Sequence, residues 1–385
     1  MTAATLTMPA ALRQRLAGPS SGAHLAACSI APRTIDVDQA MAQMLEDLSR
    51  PGFWDACEQK VAQARRLFAQ LIGADVDQIG ILPNASIAAH QAVTGRRWRR
   101  RRDILTSTAE FPGITHVLLA QPGMRVRWCG TVGGAVRTSD YLSQITPRTA
   151  LVSVPAVTYR DATRLDVARI AAAARDAGAE VLIDAYQAAG VMPVNVNTMG
   201  CDYLVTGASK YLFGLPGLAF IYARHPGGPP PTLTGWLGRT DPHAMRATIL
   251  DSPMTARRYE TGTPAAAAVY AAVAGLSLVG DLDLQRARHH TQRLIATTAQ
   301  RLAAQGEVVR LAASMDAQGA HLAIVEPRAE AMAAWLGHRG VITAPRHDVL
   351  RLATHAYTID SDIDVACEAI AAYRYRARVL SGARQ

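Results

Sequence analysis

Two segments of the 385-residue chain carry side chains whose type and position suit chemistry. In VLIDAYQAAG (181–190), Asp184 ends a fully apolar run. Burying a lone carboxylate is expensive, so it needs a cationic or hydrogen-bonding partner. A plainer reading has Asp184 capping the next turn. In CDYLVTGASKYLFGLPGLAF (201–220), Lys210 follows a strand-like run through a turn of small residues. Apolar surroundings there would desolvate the amine and lower its pKa, which suits a Schiff-base former or a proton shuttle. A surface lysine in a loop is the alternative. The basic residues sharpen that choice. Of the 40 Lys and Arg, only Lys60 and Lys210 are lysines. Arginine serves wherever a plain positive charge suffices, but its guanidinium stays protonated and cannot act as a nucleophilic amine. Lys60 falls among the polar positions of a helical pattern and reads as part of a solvated face.

These groups need elements to hold them. Short β-rich runs at 79–82, 103–107, 124–129, 149–154, 180–184, 202–206 and 217–222 alternate with helical patterns. The helices are expected over 37–50, 53–73, 86–93 and 166–176, with longer ones over 264–279 and 283–304. Such alternation predicts an α/β fold with a mainly parallel sheet of the seven-stranded type, covered on both faces. In an open sheet of this kind, ligands bind at the carboxyl ends of the strands, where Asp184 and Lys210 both fall. A smaller β/α unit follows at 307–377. The expected domains are a large one over 37–280 and a small one over 281–385. The segment 1–36 then joins the small domain or reaches a partner subunit. A lysine that forms a Schiff base and an acid that protonates a pyridine nitrogen are the two groups pyridoxal phosphate chemistry requires.

In this order, D-A-Y-Q-A-A-G, C-D-Y-L-V-T-G-A-S-K and G-L-P-G-L-A-F-I-Y resemble the class V aminotransferase family of fold-type I pyridoxal-phosphate enzymes. Kynureninases and cysteine desulfurases are its nearest branches, and the likeness runs from about residue 37 to residue 375. The resemblance implies that Lys210 holds pyridoxal 5′-phosphate as a Schiff base. Asp184 then pairs with the pyridinium nitrogen and Gln187 bonds the phenolic oxygen. Asn84-Ala85-Ser86 matches a strand-to-helix turn on the cofactor phosphate, which helix N–H groups favour; otherwise Ser86 is an ordinary N-cap. Glu110-Phe111-Pro112 resembles the E-F-P of kynureninase-like members, in which Phe111 stacks on the ring instead of filling a core. Val157-Thr158-Tyr159-Arg160 is similar to their V-N-Y-R/K stretch and brings Tyr159 to the substrate. Thr234-Gly235-Trp236 and Arg258 to Pro264 (R-Y-E-T-G-T-P) resemble segments in which Trp236 reaches the phosphate and Thr263 approaches it from the neighbouring subunit. That implies a homodimer with active sites at the subunit interface. Outside the family, Trp236 and Thr263 read as a lead-in to a helix. In VLRLATHAYTIDSDID (349–364), Arg351 matches the arginine that grips a substrate α-carboxylate with a two-pronged contact. An arginine on an edge strand, paired with a surface acid, is the alternative.

The chain also departs from these branches. The stretch 339–349 has no cysteine to receive sulfur, so a persulfide-forming desulfurase is not expected. Ser209, counted with the cofactor-binding residues, stands where desulfurases have His and kynureninases Tyr. Thr158 replaces an Asn, and Leu237-Gly238-Arg239 replaces a W-G-H continuation, which argues against kynurenine itself. Arg239, Arg160 or Arg346 is then free to meet a second acidic group on the substrate.

Composition excludes several other classes. At 49% hydrophobic and 18% charged, the chain is not disordered. Five scattered cysteines without a C-x-x-C pair exclude a disulfide scaffold. No apolar run reaches the ~18–20 residues of a membrane span. The N-terminus lacks a basic residue ahead of its apolar stretch, so a cytoplasmic protein is expected. His289 and His290 read as exposed, and no metal-ligand spacing appears. The net charge of +9 and the run RRWRRRR (96–102) raise a rival from another class, a nucleic-acid-binding protein or a non-catalytic paralogue. A solvated connection is the blander reading, and no nucleic acid is expected. The favoured function is a pyridoxal-phosphate enzyme that forms a carbanion at Cα of an amino acid. A lyase or hydrolase outcome by β-elimination or Cβ–Cγ cleavage comes first, and transamination or epimerisation second.

Overall fold

The protein is described by a computed structural model over residues 8–18, 22–96, 101–130 and 135–382. It divides into two compact units, one of residues 36–159 and 165–281, the other of residues up to 35, 160–164 and 282 onward.

The larger unit is built on seven strands: β1 (Ile79–Leu82), β2 (Asp103–Ser107), β3 (Arg125–Cys129), β4 (Thr149–Pro155), β5 (Glu180–Asp184), β6 (Tyr203–Gly207) and β7 (Ala219–Ala223). Their order is β1-β7-β6-β5-β4-β2-β3. All neighbours are parallel except β7, which is antiparallel to both β1 and β6. The sheet is therefore mixed and mostly parallel. Strands β2, β4, β6 and β7 are buried along their whole length, which is why they read as unbroken apolar runs. On one face Ala88, Ala92, Ile104, Ile114, Leu151 and Leu182 form a core beneath the helices Ala85–Thr94 and Pro112–Leu119. On the helix Phe53–Ile72, Phe68 stacks on Phe220 of β7 with centroids 4.2 Å apart. That helix ends where Gly73 takes a left-handed φ of 68° and its N–H caps the last turn. Lys60, on the same helix, is half-buried over the Tyr270 ring instead of fully solvated.

One buried ion pair ties β1 to the segment before the helix Ala266–Gly280. Arg65 and Glu260 are 8% and 5% exposed, and Arg65 Nη2 donates to Glu260 Oε1 at 2.5 Å. The N–H of Ile81 donates to the same oxygen at 3.0 Å, and Arg65 Nε donates to the carbonyl of Ile79. Removing one member leaves the other buried without compensation. Glu260→Gln is expected to lower unfolding stability by about 3–5 kcal/mol, measurable by denaturant unfolding.

The smaller unit has a four-stranded antiparallel sheet ordered 344–346, 349–353, 321–325, 309–310. The helices Leu284–Ala304, Ala329–Gly337 and Asp360–Gly382 contribute Leu294, Met332, Leu336 and Ile370 to its core. Residues 23–24 pair in parallel with 341–342 in this unit. His289 is exposed, as its sequence suggested, but His290 is half-buried and its Nε2 lies 2.8 Å from the Thr358 carbonyl.

Candidate active site

Five turns leave the same edge of the large sheet, after the carboxyl ends of β1, β2, β4, β5 and β6. Asp184 is the last residue of the central strand β5. It is flanked by Pro155 of β4 and Val205 of β6, and is 7% exposed. The N–H of Tyr186 donates to its Oδ1 at 2.8 Å. Burial pushes the pKa of this carboxyl up, while the Tyr186 N–H and the positive charge of Lys210 pull it down. Gly190, at φ 95°, closes the same turn. A Cβ there would lie 2.4 Å from the Tyr211 carbonyl, so only glycine lets the Asp184 and Lys210 turns pack backbone to backbone.

Lys210 sits on a tight loop after β6. The N–H of Phe213, itself at φ 55°, donates to the Lys210 carbonyl at 3.2 Å, and the N–H of Gly214 to that of Ala208 at 2.8 Å. The Lys210 ammonium lies 4.0 Å from the centroid of the Tyr186 ring and 5.6 Å from that of Phe111. Aromatic faces hold a cation while withholding water. The hydroxyls of Tyr186 and buried Ser209 are 3.2 Å apart. Gln187 is 4% exposed on the same turn.

Phe111 is not a core residue. It is 39% exposed, its N–H is held by the Glu110 carboxylate at 2.9 Å, and Pro112 starts the following helix. Tyr159, after β4, meets it edge-on with centroids 5.4 Å apart. Ala85 and Ser86 open the helix Ala85–Thr94; its N-cap is Asn84, whose Oδ1 accepts from the N–H of Ile87. Ser86 is therefore not the cap residue. A Cβ on Gly113 would lie 2.9 Å from Ser86 Oγ and 3.3 Å from the Phe111 ring. Ser86, Phe111, Tyr159, Lys210, Asp184 and Gln187 thus lie on turns at the carboxyl ends of neighbouring strands.

Trp236 and Thr263 lie elsewhere. The Leu237 N–H donates to the Thr261 carbonyl at 3.1 Å, joining their segments. Both residues line a cavity of about 220 Å³ with Trp54, Arg65 and Glu260. None of Asp184, Lys210, Phe111 or Ser86 is in its wall. Arg351 belongs to the smaller unit. It is 1% exposed on a strand paired on both sides, not on an edge, and its Nε donates to the Ala344 carbonyl at 3.2 Å.

The three arginines considered for a second acidic group are engaged within the chain. Arg239 is 8% exposed, makes a forked pair with Asp251 at 3.1 and 3.3 Å, and donates to the Arg246 carbonyl. Arg160 pairs with Asp348, and Arg346 donates to the Pro345 carbonyl and to Ser29 Oγ. Of the 96–102 run, Arg96 pairs with Glu180 at 3.1 Å and lies over the Tyr203 ring. Arg101 and Arg102 donate to backbone carbonyls of Pro147 and Gly123. Residues 97–100 lie outside the described residues.

Two residues here fall inside motifs in which sequence alone assigns them no individual role. Tyr186 hides between Asp184 and Gln187 in an ordinary D-A-Y-Q run, and only the fold shows its ring beneath Lys210. Glu110, the first residue of the E-F-P segment, is 2% exposed.

The donor set fits pyridoxal phosphate. There is a buried acid for a ring nitrogen, an amine, an aromatic side chain open to solvent, and a helix start whose free N–H groups suit a phosphate. Comparison with known proteins agrees. Residues 50–345 match the Aminotransferase class-V family. An uncharacterised aminotransferase of Bacillus subtilis is 32% identical over 369 residues, covering 95% of this chain and 98% of its own. A kynureninase of Deinococcus radiodurans is 30% identical over 330 residues, 83% of this chain and 78% of its own. In fold, the apo cysteine desulfurase of Thermococcus onnurineus superposes with a TM-score of 0.84 at 18% identity, over 96% of this chain and 99% of that one. With its motifs, its mostly parallel sheet and a match over most of its length, the chain belongs to the aminotransferase class-V family, whose cofactor is pyridoxal 5′-phosphate.

Proposed function

We propose that the protein acts on a small α-amino acid at the cleft between Phe111 and Lys210, as a lyase or hydrolase that breaks a bond at or beyond Cβ. The observation that supports this most is the ammonium of Lys210, held over the Tyr186 ring and acting with its charge on the buried carboxyl of Asp184. Pyridoxal phosphate, when bound, supplies an electron sink that stabilises negative charge at Cα.

The chain's own residues do the rest. Asp184 would hold a proton at the ring nitrogen and so keep the ring electron-poor. Phe111 would hold the ring face, and Gln187 would donate to the phenolic oxygen. The Ala85–Ser86 helix start binds the phosphate. Likeness to the family's carboxylate-gripping arginine supports that role for Arg351, and Tyr159 would line the substrate side. Lys210 Nζ would take the proton from Cα and, in a β-elimination, hand it to the leaving group; in a hydrolytic Cβ–Cγ cleavage water would supply the oxygen of the departing acyl group. Ser209 and Tyr186 set the position of that amine. Trp236 and Thr263, on an exposed cavity wall, serve the phosphate of a second copy in a homodimer.

Likeness to kynureninases, together with the E-F-P turn, favours cleavage over transamination. Persulfide chemistry is disfavoured because all five cysteines are buried, and burial pushes the thiols of Cys129 and Cys201 up to about 12. Transamination is the second reading, favoured by the 32% identity to an uncharacterised aminotransferase. An amino-acid panel incubated without any keto-acid acceptor separates them. A lyase or hydrolase turns over repeatedly and releases a cleaved product. A transaminase stops after one equivalent, and that outcome would displace the first reading.

A further inference from the structure

Glu110 is a buried carboxyl to which the mechanism above gives no role. It follows β2 and is 2% exposed, inside the sheet edge that carries Asp184. Its Oε1 accepts from the N–H of Phe111 at 2.9 Å, and its Oε2 lies 3.3 Å from Ser153 Oγ on β4. Ser153 is two residues before Pro155, the register partner of Asp184. Both polar partners are neutral, and among the described residues no ion pair reaches Glu110. Two titratable groups face it, Asp184 from β5 and the buried Tyr141, whose hydroxyl lies 3.0 Å from Ser107 Oγ and 3.2 Å from the Ser153 carbonyl. The positive charge of Lys210 acts on Asp184.

Two carboxylates cannot both stay charged in such a place when the cation beside them, Lys210, acts on Asp184. A buried charge without a cation takes up a proton, and close acids titrate as a pair. We infer that Glu110 is a positioning residue that keeps one proton for the Glu110–Asp184 pair, so that Asp184 alone carries the negative charge presented to the cofactor nitrogen. The same carboxyl fixes the backbone of Phe111, so one side chain sets both the charge under the ring and the aromatic on it. Burial first, and then the Asp184 charge, push the Glu110 pKa well above the ordinary carboxyl range. This inference deepens the proposed function and rests on the assignment of Asp184 to the ring nitrogen.

The test uses the full chain first without and then with pyridoxal phosphate. A carboxyl whose folded pKa is raised binds more protons in the native state than in the unfolded one. Stability then falls as pH rises above the unfolded value of about 4.3. Wild-type protein should lose thermal stability relative to Glu110→Gln between pH 5 and pH 8. A difference that does not change with pH, or one that grows in favour of the wild type, would overturn the inference. Should the variant not fold, infrared spectra of the wild type decide. A protonated-carboxyl C=O band persisting at pH 8, and shifted by Ser153→Ala, is expected; its absence would overturn the inference. Both readouts precede cofactor binding, so they stand apart from any failure of the proposed reaction. In the loaded enzyme, Glu110→Gln, which mimics the neutral acid, should keep kcat within about threefold. A hundredfold loss would mean that Glu110 works as a charged group instead.

Discussion

Lys210→Ala protein should bind pyridoxal phosphate without the near-visible absorption band of a lysine-bound cofactor and should lose turnover by about 10³–10⁴-fold. That corresponds to about 4–5 kcal/mol of barrier. The size follows from the roles assigned to one amine, which both tethers the cofactor and moves the Cα proton. The only other lysine, Lys60, lies on the helix Phe53–Ile72 over the Tyr270 ring and offers no substitute. Lys210→Arg keeps a cation over Tyr186 but cannot form the bond or give up its proton, so it should be as inactive. Stability should change little in both variants, because Lys210 is only half-buried. Single-turnover kinetics and circular dichroism separate the two effects. Turnover within tenfold of wild type would remove Lys210 from the mechanism.

Asp184→Asn should lower kcat by about 10²–10³-fold, the usual loss when a preorganised electrostatic group is removed from a site. The amide keeps an oxygen for the Tyr186 N–H and removes a buried charge, so the fold should be retained or slightly stabilised. The expected signature is a split between activity and stability, read by steady-state kinetics beside thermal unfolding. A parallel loss of both would make Asp184 a structural cap of its turn, the alternative its sequence position leaves open.

Much of this architecture is legible without coordinates. Unbroken apolar runs announce buried parallel strands, and β4 to β6 lie within a residue or two of where the runs place them. Asp184 and Lys210 are legible because a strand's carboxyl end is a predictable location and because lysine is so rare in this chain. Phe111 is ambiguous in sequence, since an aromatic after a strand is more often core; its exposure depends on Glu110 and Pro112, which turn it outward. Other features depend on contacts distant in sequence. Glu260 lies inside a motif yet acts through Arg65, on a helix nearly 200 positions earlier. Arg239 sits where a substrate contact was plausible, but the loop that follows brings Asp251 back to it. The reversed direction of β7 is equally silent, because an apolar run reads the same in both directions.

With two lysines in the chain, one labelling experiment reaches the central assignment. The purified protein, saturated with pyridoxal phosphate, is reduced with borohydride, digested and mapped by mass spectrometry. The pyridoxyl group is expected on the peptide that contains Lys210, at close to one per chain, with the near-visible band lost on reduction. A label on Lys60 alone, or on neither lysine, would contradict the assignment of Lys210 and with it the reaction built on Asp184 and Phe111.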